Sequence, residues 1–538
     1  MEEATEICKL RLFLKLVAQV DSVDKIEPLP DIDFNIRAGN TLVGFVSVDE
    51  IRKAAEIAPD GQKHIFFSST KDEIKQIEED AGIVELAFKR FHEMQTEHEM
   101  DAQDFKVAKE DLSERLKVLA WKLDQYLVKE YGIDLKNKKA FEAWRNSHQP
   151  FHWFVEFYGI MSRGGFDVII GNPPYIQVPK NLSRRLLKSN YRTALERWSR
   201  DEDLYTMVAE RSLSIGREQF FTFGMILPLS LTFSTKKPFK IFRQVLSKQR
   251  GTWWLSHFDR IPSSLFGNEV RIRCTISILA INRAHPSNEL NTTALNRWPS
   301  EKRDILFQQI QYSKIIVNIS NGIPKVGSQV QADTLKALLL KKSSLDNDLS
   351  ESIPFTALAS SAPNFPQPGV FIGGTAYNWF PVWREIPETF NIRGKPSLPA
   401  RTAGFLFRDA KTADIIFALL ASSLGYWWWA VASDGFNLKK WLIKTFPLSK
   451  QSLEPDVKNK LAKLGAELRK ELKKHYVYKE NKGKIGNYFL PACSEEIKQI
   501  DTVLAHNVNG LSPEFFADIR SFNTIFSRSD HSTINSDI

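Results

Sequence analysis

The sequence predicts a mixed α/β protein, and three observations lead to that prediction. Val168 to Ile170 is a short β-branched run of the kind that forms a strand buried on both faces, and Gly171 ends it. Phe220 to Pro228 is a second apolar run that predicts a buried strand. Elsewhere, apolar residues recur at helical spacing among charged ones. In an open α/β sheet, ligands bind at the carboxyl ends of the strands.

The loop after the first predicted strand, Asn172-Pro173-Pro174-Tyr175, has the residues needed to hold a planar amine. The prolines fix their own φ angles, and Pro173 also favours an extended Asn172. The Asn172 side-chain oxygen and the Pro173 carbonyl can each accept one amine hydrogen, and Tyr175 can stack on a base outside the duplex. Asn-Pro and Pro-Pro also occur in ordinary turns, but the preceding strand favours a functional loop.

The stretch from Phe166 to Tyr175 resembles the catalytic motif of adenine-N6 DNA methyltransferases. From Pro150 through Ile176, the chain resembles the methylase part of large type II (type IIG) restriction–modification proteins. The resemblance implies site-specific transfer of a methyl group from S-adenosylmethionine to the N6 amine of a flipped adenine, in a restriction–modification or phage-defence system. It also implies a partial Rossmann-like methyltransferase sheet with a helical insertion, and a C-terminal α+β target-recognition domain. Asn172, Pro173, Pro174 and Tyr175 would be the catalytic residues.

The same resemblance assigns three further site residues. Asn40 lies in a predicted strand and Gly-Asn turn from Phe34 to Leu42, where the family contacts the adenine of the cofactor. Asp203 would help to shape the cofactor site, and a plain helix N-cap is the alternative. Phe266 corresponds to an aromatic residue that sandwiches the flipped base against Tyr175, with core packing as the alternative.

Basic residues near the loop and in the C-terminal half are candidates for contacts with the phosphates of double-stranded DNA. A solvated helix is the alternative for the group that directly follows the loop. The net charge of +9 over 538 residues is only mildly basic but compatible with nucleic-acid binding. The candidates are Arg184, Arg185, Lys188, Lys236, Lys237, Lys439 and Lys440.

The resembled enzymes carry a glycine-rich turn, at which the backbone approaches the methionine part of the cofactor. This sequence contains no Phe/Asp-x-Gly-x-Gly pattern and no convincing Asp…Glu-x-Lys nuclease cluster. We therefore expect the chain to start partway through a methyltransferase domain, which a separately encoded N-terminal methyltransferase or nuclease fragment could complete. The alternative is a non-catalytic DNA-recognition subunit or remnant. The loop would also suit an RNA or protein amine, although the long C-terminal region favours DNA.

The length of the chain predicts several domains. We expect a truncated start of the methyltransferase domain over 1–50, a helical insertion over 51–149 and the catalytic half over 150–284. A target-recognition domain would follow over 285–450, and then a helical region over 451–538 with a disordered tail from Ser529. Within these limits, the spacing predicts an amphipathic helix over 4–20 and two or three long helices between Lys71 and Tyr131.

Composition excludes several classes of protein. Cys8, Cys274 and Cys493 form neither a paired framework nor a metal-binding spacing, so a reducing cytoplasm is the simplest setting. None of them lies in a Pro-Cys loop of the sort that cytosine carbon-5 methyltransferases use. No apolar run reaches transmembrane length. We predict no metal site, since the histidines and glutamates at 92, 93, 98 and 99 have no recognised ligand spacing.

Overall fold

The structure is a computed structural model of the chain. It describes residues 2–20, 22, 35–56, 68–96, 102–129, 131–267, 270–318, 322–349, 351–353, 368–376, 379–399, 401–480 and 483–526. The chain divides into two compact units. The first comprises Met1–Met225 with Ala280–Ala284, and the second Ile226–Leu279 with His285–Ile538.

The first unit is largely helical. Its helices are α1 (Glu2–Val17), α2 (Val48–Glu56), α3 (Ser68–Thr96), α4 (Ala102–Lys129), α5 (Lys138–His148), α6 (Trp153–Glu156), α7 (Tyr158–Met161), α8 (Arg184–Asn190) and α9 (Leu204–Ile215). The long helices predicted between Lys71 and Tyr131 are confirmed as α3 and α4. Their apolar stripes meet in one core, in which Ile74, Ile77, Leu112, Leu116 and Leu119 are buried. Burial of these stripes is what stabilises such long helices.

Helix α1 confirms the predicted helix near the start of the chain, but its apolar face is not buried. Ile7, Leu10 and Leu14 are all exposed, as are Leu12 and Phe13 on other sides of the helix. An amphipathic helix gains most of its stability from burying that face. The apolar surface of α1 is therefore open to contact with other polypeptide.

A six-stranded mixed sheet contains β1 (Val168–Gly171), β2 (Phe220–Pro228), β3 (Gly251–Phe258), β4 (Cys274–Asn282), β5 (Asn288–Asn296) and β6 (Ser313–Ile315). The strand order is β1-β2-β4-β3-β5-β6. Strands β1 and β2 are parallel, as are β3 and β5, whereas β6 is antiparallel to β5. This sheet, together with the helices, confirms the mixed α/β prediction.

Strand β1 lies where the sequence predicts it, but the expectation that it is buried on both faces is wrong. It is an edge strand whose neighbour in the sheet is β2. Val168 is 56% exposed and Ile170 is 84% exposed. Phe220 of β2, which the register places on the same face, is exposed as well. The β-branched run has the composition of a central strand, yet one edge and one face of it remain uncovered.

The second unit adds two four-stranded antiparallel sheets to β3–β6. One has the order β7-β12-β8-β9, formed by Glu351–Ile353, Ala403–Leu406, Gly369–Ile372 and Val382–Trp383. The other has the order β11-β10-β14-β13, formed by Pro396–Ser397, Thr389–Asn391, Gly483–Tyr488 and Tyr476–Glu480.

The helices of the second unit form much of its core. They are α10 (Ser230–Phe233), α11 (Lys237–Ser247), α12 (Gln329–Leu340), α13 (Ala410–Ala421), α14 (Ser423–Ala432), α15 (Lys440–Lys444), α16 (Pro455–Lys474), α17 (Ser494–Asn507) and α18 (Pro513–Phe526). The three consecutive tryptophans of α14, Trp427 to Trp429, are all buried. Among the described residues no single helix has the length and apolarity to cross a membrane, although α13 and α14, bent by 60°, meet those criteria together. The predicted disordered tail from Ser529 lies outside the described residues.

Candidate active site

The Asn172–Tyr175 loop begins at the carboxyl end of β1. The strand pairs in parallel with β2, with Ile170 opposite Gly224. After Gly171 the chain leaves the sheet, and the two prolines keep the next residues from adopting helical structure. Asn172 is exposed, whereas Pro173 is buried and anchors the loop. The structure therefore holds the amide side chain at the surface on a stiff backbone.

Tyr175 is tied back to the start of the loop. Its hydroxyl donates a hydrogen bond of 2.9 Å to Oδ1 of Asn172. Its ring packs edge-on against the buried ring of Tyr205 in α9, with 6.2 Å between ring centroids and an interplanar angle of 81°. These two contacts fix the aromatic ring beside the Asn172 amide, so the predicted residues do come together.

The chain that follows the loop is paired with the start of α9. The Leu204 amide donates to the carbonyl of Ile176 at 2.8 Å, and an antiparallel bridge joins Gln177 to Asp203. Asp203 occupies the N-cap position of α9, but its side chain makes no capping hydrogen bond. The structure thus brings Asp203 next to the continuation of the candidate loop.

Asn40 lies in a different environment from the predicted one. The described part of the expected strand, residues 35–42, forms turns and a single bridge from Asn40 to Pro150. The Asn40 amide donates to the Gln149 carbonyl at 2.7 Å, and its side-chain oxygen accepts from the Leu42 amide at 3.1 Å. This side chain closes its own turn, and the expectation of a strand is wrong for the described residues.

Arg184 is engaged inside the protein. Its guanidinium donates two hydrogen bonds, of 2.8 and 2.9 Å, to the carboxylate of the fully buried Glu202. It also lies 3.6 Å from the ring centroid of Trp198. Lys188 instead forms a 2.8 Å ion pair with the exposed Glu196 at the surface. The bridge from Arg184 to Glu202 fastens α8 to the segment that precedes α9.

A second buried network connects α9 to residues 42–50. Arg211 donates to the Tyr191 hydroxyl and to Oε1 of Glu50, both at 2.8 Å. Tyr191 donates in turn to the Leu42 carbonyl at 3.2 Å, and burial raises the pKa of its phenol well above the ordinary value. The partners are up to 161 positions apart in the sequence, so no local pattern indicates them.

The remaining candidates lie in the second unit. Lys236 and Lys237 are exposed at the start of α11, and Phe266 is exposed on a loop. Lys439 is exposed just before α15, whereas Lys440 lies 5.9 Å from the Phe405 ring centroid, and burial lowers the pKa of its amine.

A polar cleft of about 830 Å³ lies in the first unit. Its walls include Arg37, Asp124 and Arg145, and also Gln149 and Pro150, the residues that bridge to Asn40. No residue of the Asn172–Tyr175 loop lines this cleft. A ligand within it would therefore not contact the candidate catalytic loop. Within the described ranges, no group of three or more His, Cys, Asp or Glu side chains could hold a metal ion.

Residues 1–262 match the Eco57I restriction-modification methylase family. Over this part, which is just under half of the chain, the protein is similar to Eco57I restriction-modification methylases. The matched range includes Asn40, the Asn172–Tyr175 loop and Asp203, and it ends before Phe266 and the Lys439–Lys440 pair.

Other known proteins are similar to the chain over a larger share of its length. A Methanocaldococcus jannaschii protein named as a type II restriction enzyme and methyltransferase is 24% identical over 353 residues, which are 58% of this chain and 28% of that protein. The chain thus matches about a quarter of the length of that relative. The type IIL restriction–modification enzyme MmeI in complex with DNA is 9% identical with a TM-score of 0.35, over 66% of this chain and 56% of its own. The type IIG restriction endonuclease BpuSI is 10% identical with a TM-score of 0.24, over 65% and 54%.

Proposed function

We propose that this chain is a site-specific DNA methyltransferase that transfers a methyl group from S-adenosylmethionine to the N6 amine of a flipped adenine. It would act in a restriction–modification or phage-defence system in the cytoplasm, with double-stranded DNA as its partner. The observation that carries the proposal is the Asn172–Tyr175 loop. There an exposed amide and an aromatic ring are joined by a 2.9 Å hydrogen bond at the carboxyl end of β1.

The loop offers two acceptors to the two hydrogens of an adenine amine. Tyr175 uses one lone pair of the Asn172 side-chain oxygen, which leaves a second lone pair for a ligand. The carbonyl of Pro173 accepts no hydrogen bond from the described residues. Holding both hydrogens favours a pyramidal nitrogen with an available lone pair, so the loop would contribute by positioning and electrostatics. The Tyr175 ring would stack on the flipped base, a contact worth about 1–3 kcal/mol.

The cofactor site is incomplete in the described residues. S-adenosylmethionine would supply the methyl group, and Asn40 and Asp203 are the residues proposed to contact it. However, the Asn40 side-chain oxygen already accepts the Leu42 amide, and the polar cleft beside it does not reach the catalytic loop. The sequence has no glycine-rich strand–helix turn for the methionine part. These residues alone therefore do not fit the whole cofactor.

The open edge of β1 favours a second candidate, in which this chain needs a separate N-terminal fragment. Within the part of the chain that the structure describes, no strand lies beside the outer edge of β1, and Val168, Ile170 and Phe220 expose an apolar face on β1 and β2. Such an edge can accept another strand through its free backbone groups, and a helix would cover the apolar face. A separately encoded methyltransferase or nuclease fragment with a strand–turn–helix could pair with the open edge of β1 and cover its apolar face. The same fragment would add the glycine-rich cofactor turn. Without it, the chain would act as a DNA-recognition subunit.

The decisive experiment measures transfer of labelled methyl groups from S-adenosylmethionine to unmethylated genomic DNA. The chain is tested alone and mixed with the product of the adjacent upstream gene, and calorimetry measures cofactor binding in both samples. We expect Asn172→Ala to abolish transfer because it removes one of the two amine acceptors. Asn181→Ala changes an exposed asparagine nine residues downstream and should leave transfer intact.

Each result points to one candidate. Transfer and cofactor binding by the chain alone would establish a self-sufficient enzyme, and transfer only in the mixture would establish a split enzyme. Cofactor binding in neither sample would leave a recognition subunit. Full transfer by Asn172→Ala would refute the amine-holding mechanism.

A further inference from the structure

Two hairpins of the second unit end side by side. The β10–β11 hairpin turns through Asn391–Lys395, and the paired strands β13 and β14 end at Glu480 and begin at Gly483. Because Asn391 pairs with Gly483 across the sheet, the Asn391–Lys395 turn and these strand ends lie at the same end of it. We call the Asn391–Lys395 turn together with Lys479 and Lys484 the hairpin-tip surface.

The Asn391–Lys395 turn is rigid. The side-chain oxygen of Asn391 accepts hydrogen bonds from the amides of Arg393 and Lys395, at 2.9 and 3.1 Å. The Asn391 carbonyl accepts the Gly394 amide at 2.8 Å, and Gly394 has a φ of +70°, a conformation that favours glycine. This preorganised turn holds Ile392 outward with 80% of its surface exposed. A large apolar side chain held outward on a rigid turn is accessible to a partner.

The cations of the hairpin-tip surface are available to a partner. Arg393, Lys395, Lys479 and Lys484 form no ion pair with a described residue, and Lys484 lies 4.1 Å from the ring centroid of Tyr478. Two cations of α16 are instead paired, since Arg469 and Lys473 both contact the Glu385 carboxylate. Among the described residues, two carboxylates lie near the tips, Glu388, which accepts the Tyr478 hydroxyl, and Glu480, which is opposite Lys484 in the register. Four cations against two carboxylates leave this end of the sheet positive.

We propose that the hairpin-tip surface binds double-stranded DNA, with Ile392 inserted into a groove and with Arg393 and Lys395 contacting the phosphates. A two-stranded β-ribbon fits the major groove, where an isoleucine side chain can contact thymine methyl groups while flanking cations reach the phosphates. This inference rests on the proposed function, since it assigns a contact of the second unit with the double-stranded DNA that is the proposed partner. The residues of the hairpin-tip surface lie outside residues 1–262, the range that matches the methylase family.

The salt dependence of DNA binding tests the two cations of the turn. Anisotropy of a labelled 30-base-pair mixed-sequence duplex is measured over a range of salt concentrations for wild type and for the double variant Arg393→Gln, Lys395→Gln. Two lost phosphate contacts should reduce the slope of log K against log salt by about 1.8, and binding at 0.1 M salt should weaken on the order of tens of fold. The control, Lys463→Gln with Lys470→Gln, removes the same charge from exposed positions of α16 and should leave the slope unchanged. The backbone amides at 393 and 395 can still donate to the Asn391 side chain in the turn variant. Both double variants should therefore have the melting temperature of wild type.

Cross-linking tests Ile392 directly. A benzophenone amino acid replaces Ile392, and in a control chain it replaces Leu340, which is 72% exposed on α12. Ultraviolet light should join the duplex to position 392 and not to position 340.

The inference is overturned if the turn variant keeps the wild-type salt slope, if position 392 fails to cross-link, or if the wild-type chain does not bind the duplex. Methyl transfer is measured on the same preparations. A chain that binds DNA through the hairpin-tip surface but transfers no methyl groups, either alone or mixed with the upstream gene product, would refute the proposed methyltransferase function alone. Normal transfer with an unaltered salt slope in the turn variant would refute this inference alone.

Discussion

Replacing Arg184 with alanine should destabilise the first unit without changing the salt dependence of DNA binding. Among the described residues, the substitution leaves the fully buried carboxylate of Glu202 with the amide of Leu195, 2.7 Å away, as its one hydrogen-bond donor. Breaking a buried ion pair from one side costs about 3–5 kcal/mol. For a unit of this size, that cost corresponds to a fall in melting temperature of roughly 6–20 °C.

Thermal unfolding and duplex-binding titrations together distinguish this structural role from the phosphate contact that the sequence also suggests for Arg184. Lys188→Ala is the matched control, because it removes a cation of the same helix that pairs at the surface with Glu196. Its pair should contribute at most about 1 kcal/mol. A phosphate contact by Arg184 would lower the salt slope by about 0.9. An Arg184→Ala chain that melts within 2 °C of wild type (roughly 1 kcal/mol or less) and loses that slope would refute the internal role.

Three further predictions concern other parts of the chain. Burial raises the pKa of the Asp501 carboxyl to about 6, so its contribution to stability is present at low pH and is lost as the pH rises from about 4 to 6. The melting temperature of Asp501→Asn should therefore fall less than that of wild type over this range. Burial lowers the pKa of the Lys325 amine to about 7, so the folded chain should gain stability from pH 7 to 10, a gain that melting curves of Lys325→Met should lack. Ile170→Lys, at the open edge of β1, should melt like wild type yet fail to co-purify with the upstream gene product; undiminished co-purification would place any docking elsewhere.

The sequence predicts local structure well where the apolar period is strong. Strand β2 has the bounds Phe220–Pro228 that its apolar run predicts, and α3 and α4 follow the helical spacing of their buried residues. The position of β1 is also predicted, but its exposure is not. The apolar composition of a strand shows that it is suited to burial, but it does not show which neighbouring elements cover it. The expected strand before Asn40 fails for a related reason. There, a side chain that closes its own turn competes with strand pairing.

The candidate loop is predictable because its chemistry lies in four consecutive residues, whereas its supports are not. Tyr205, Glu202 and Arg211 act through contacts with residues distant in the sequence, and a buried ion pair has no local period. Basic residues are ambiguous for the same reason. Arg184 and Lys188 are alike in sequence and four positions apart, yet one bridges to a buried carboxylate and the other pairs at the surface.

The contacts that support the candidate loop suggest that base holding and methyl-donor binding rely on different parts of the protein. Tyr175 packs on α9, and the chain after the loop pairs with the start of the same helix, so α9 braces the amine-holding loop. The open edge of β1 is the one away from β2, and a strand carrying a cofactor turn would add there. Holding the base and binding the methyl donor would then depend on different neighbours of one strand. A chain without its fragment should consequently retain the loop geometry and bind DNA while lacking methyl transfer. Strong protection of the Ile176 to Leu204 backbone pairing from hydrogen exchange, both before and after addition of the fragment, would support this division; protection gained only in the mixture would contradict it.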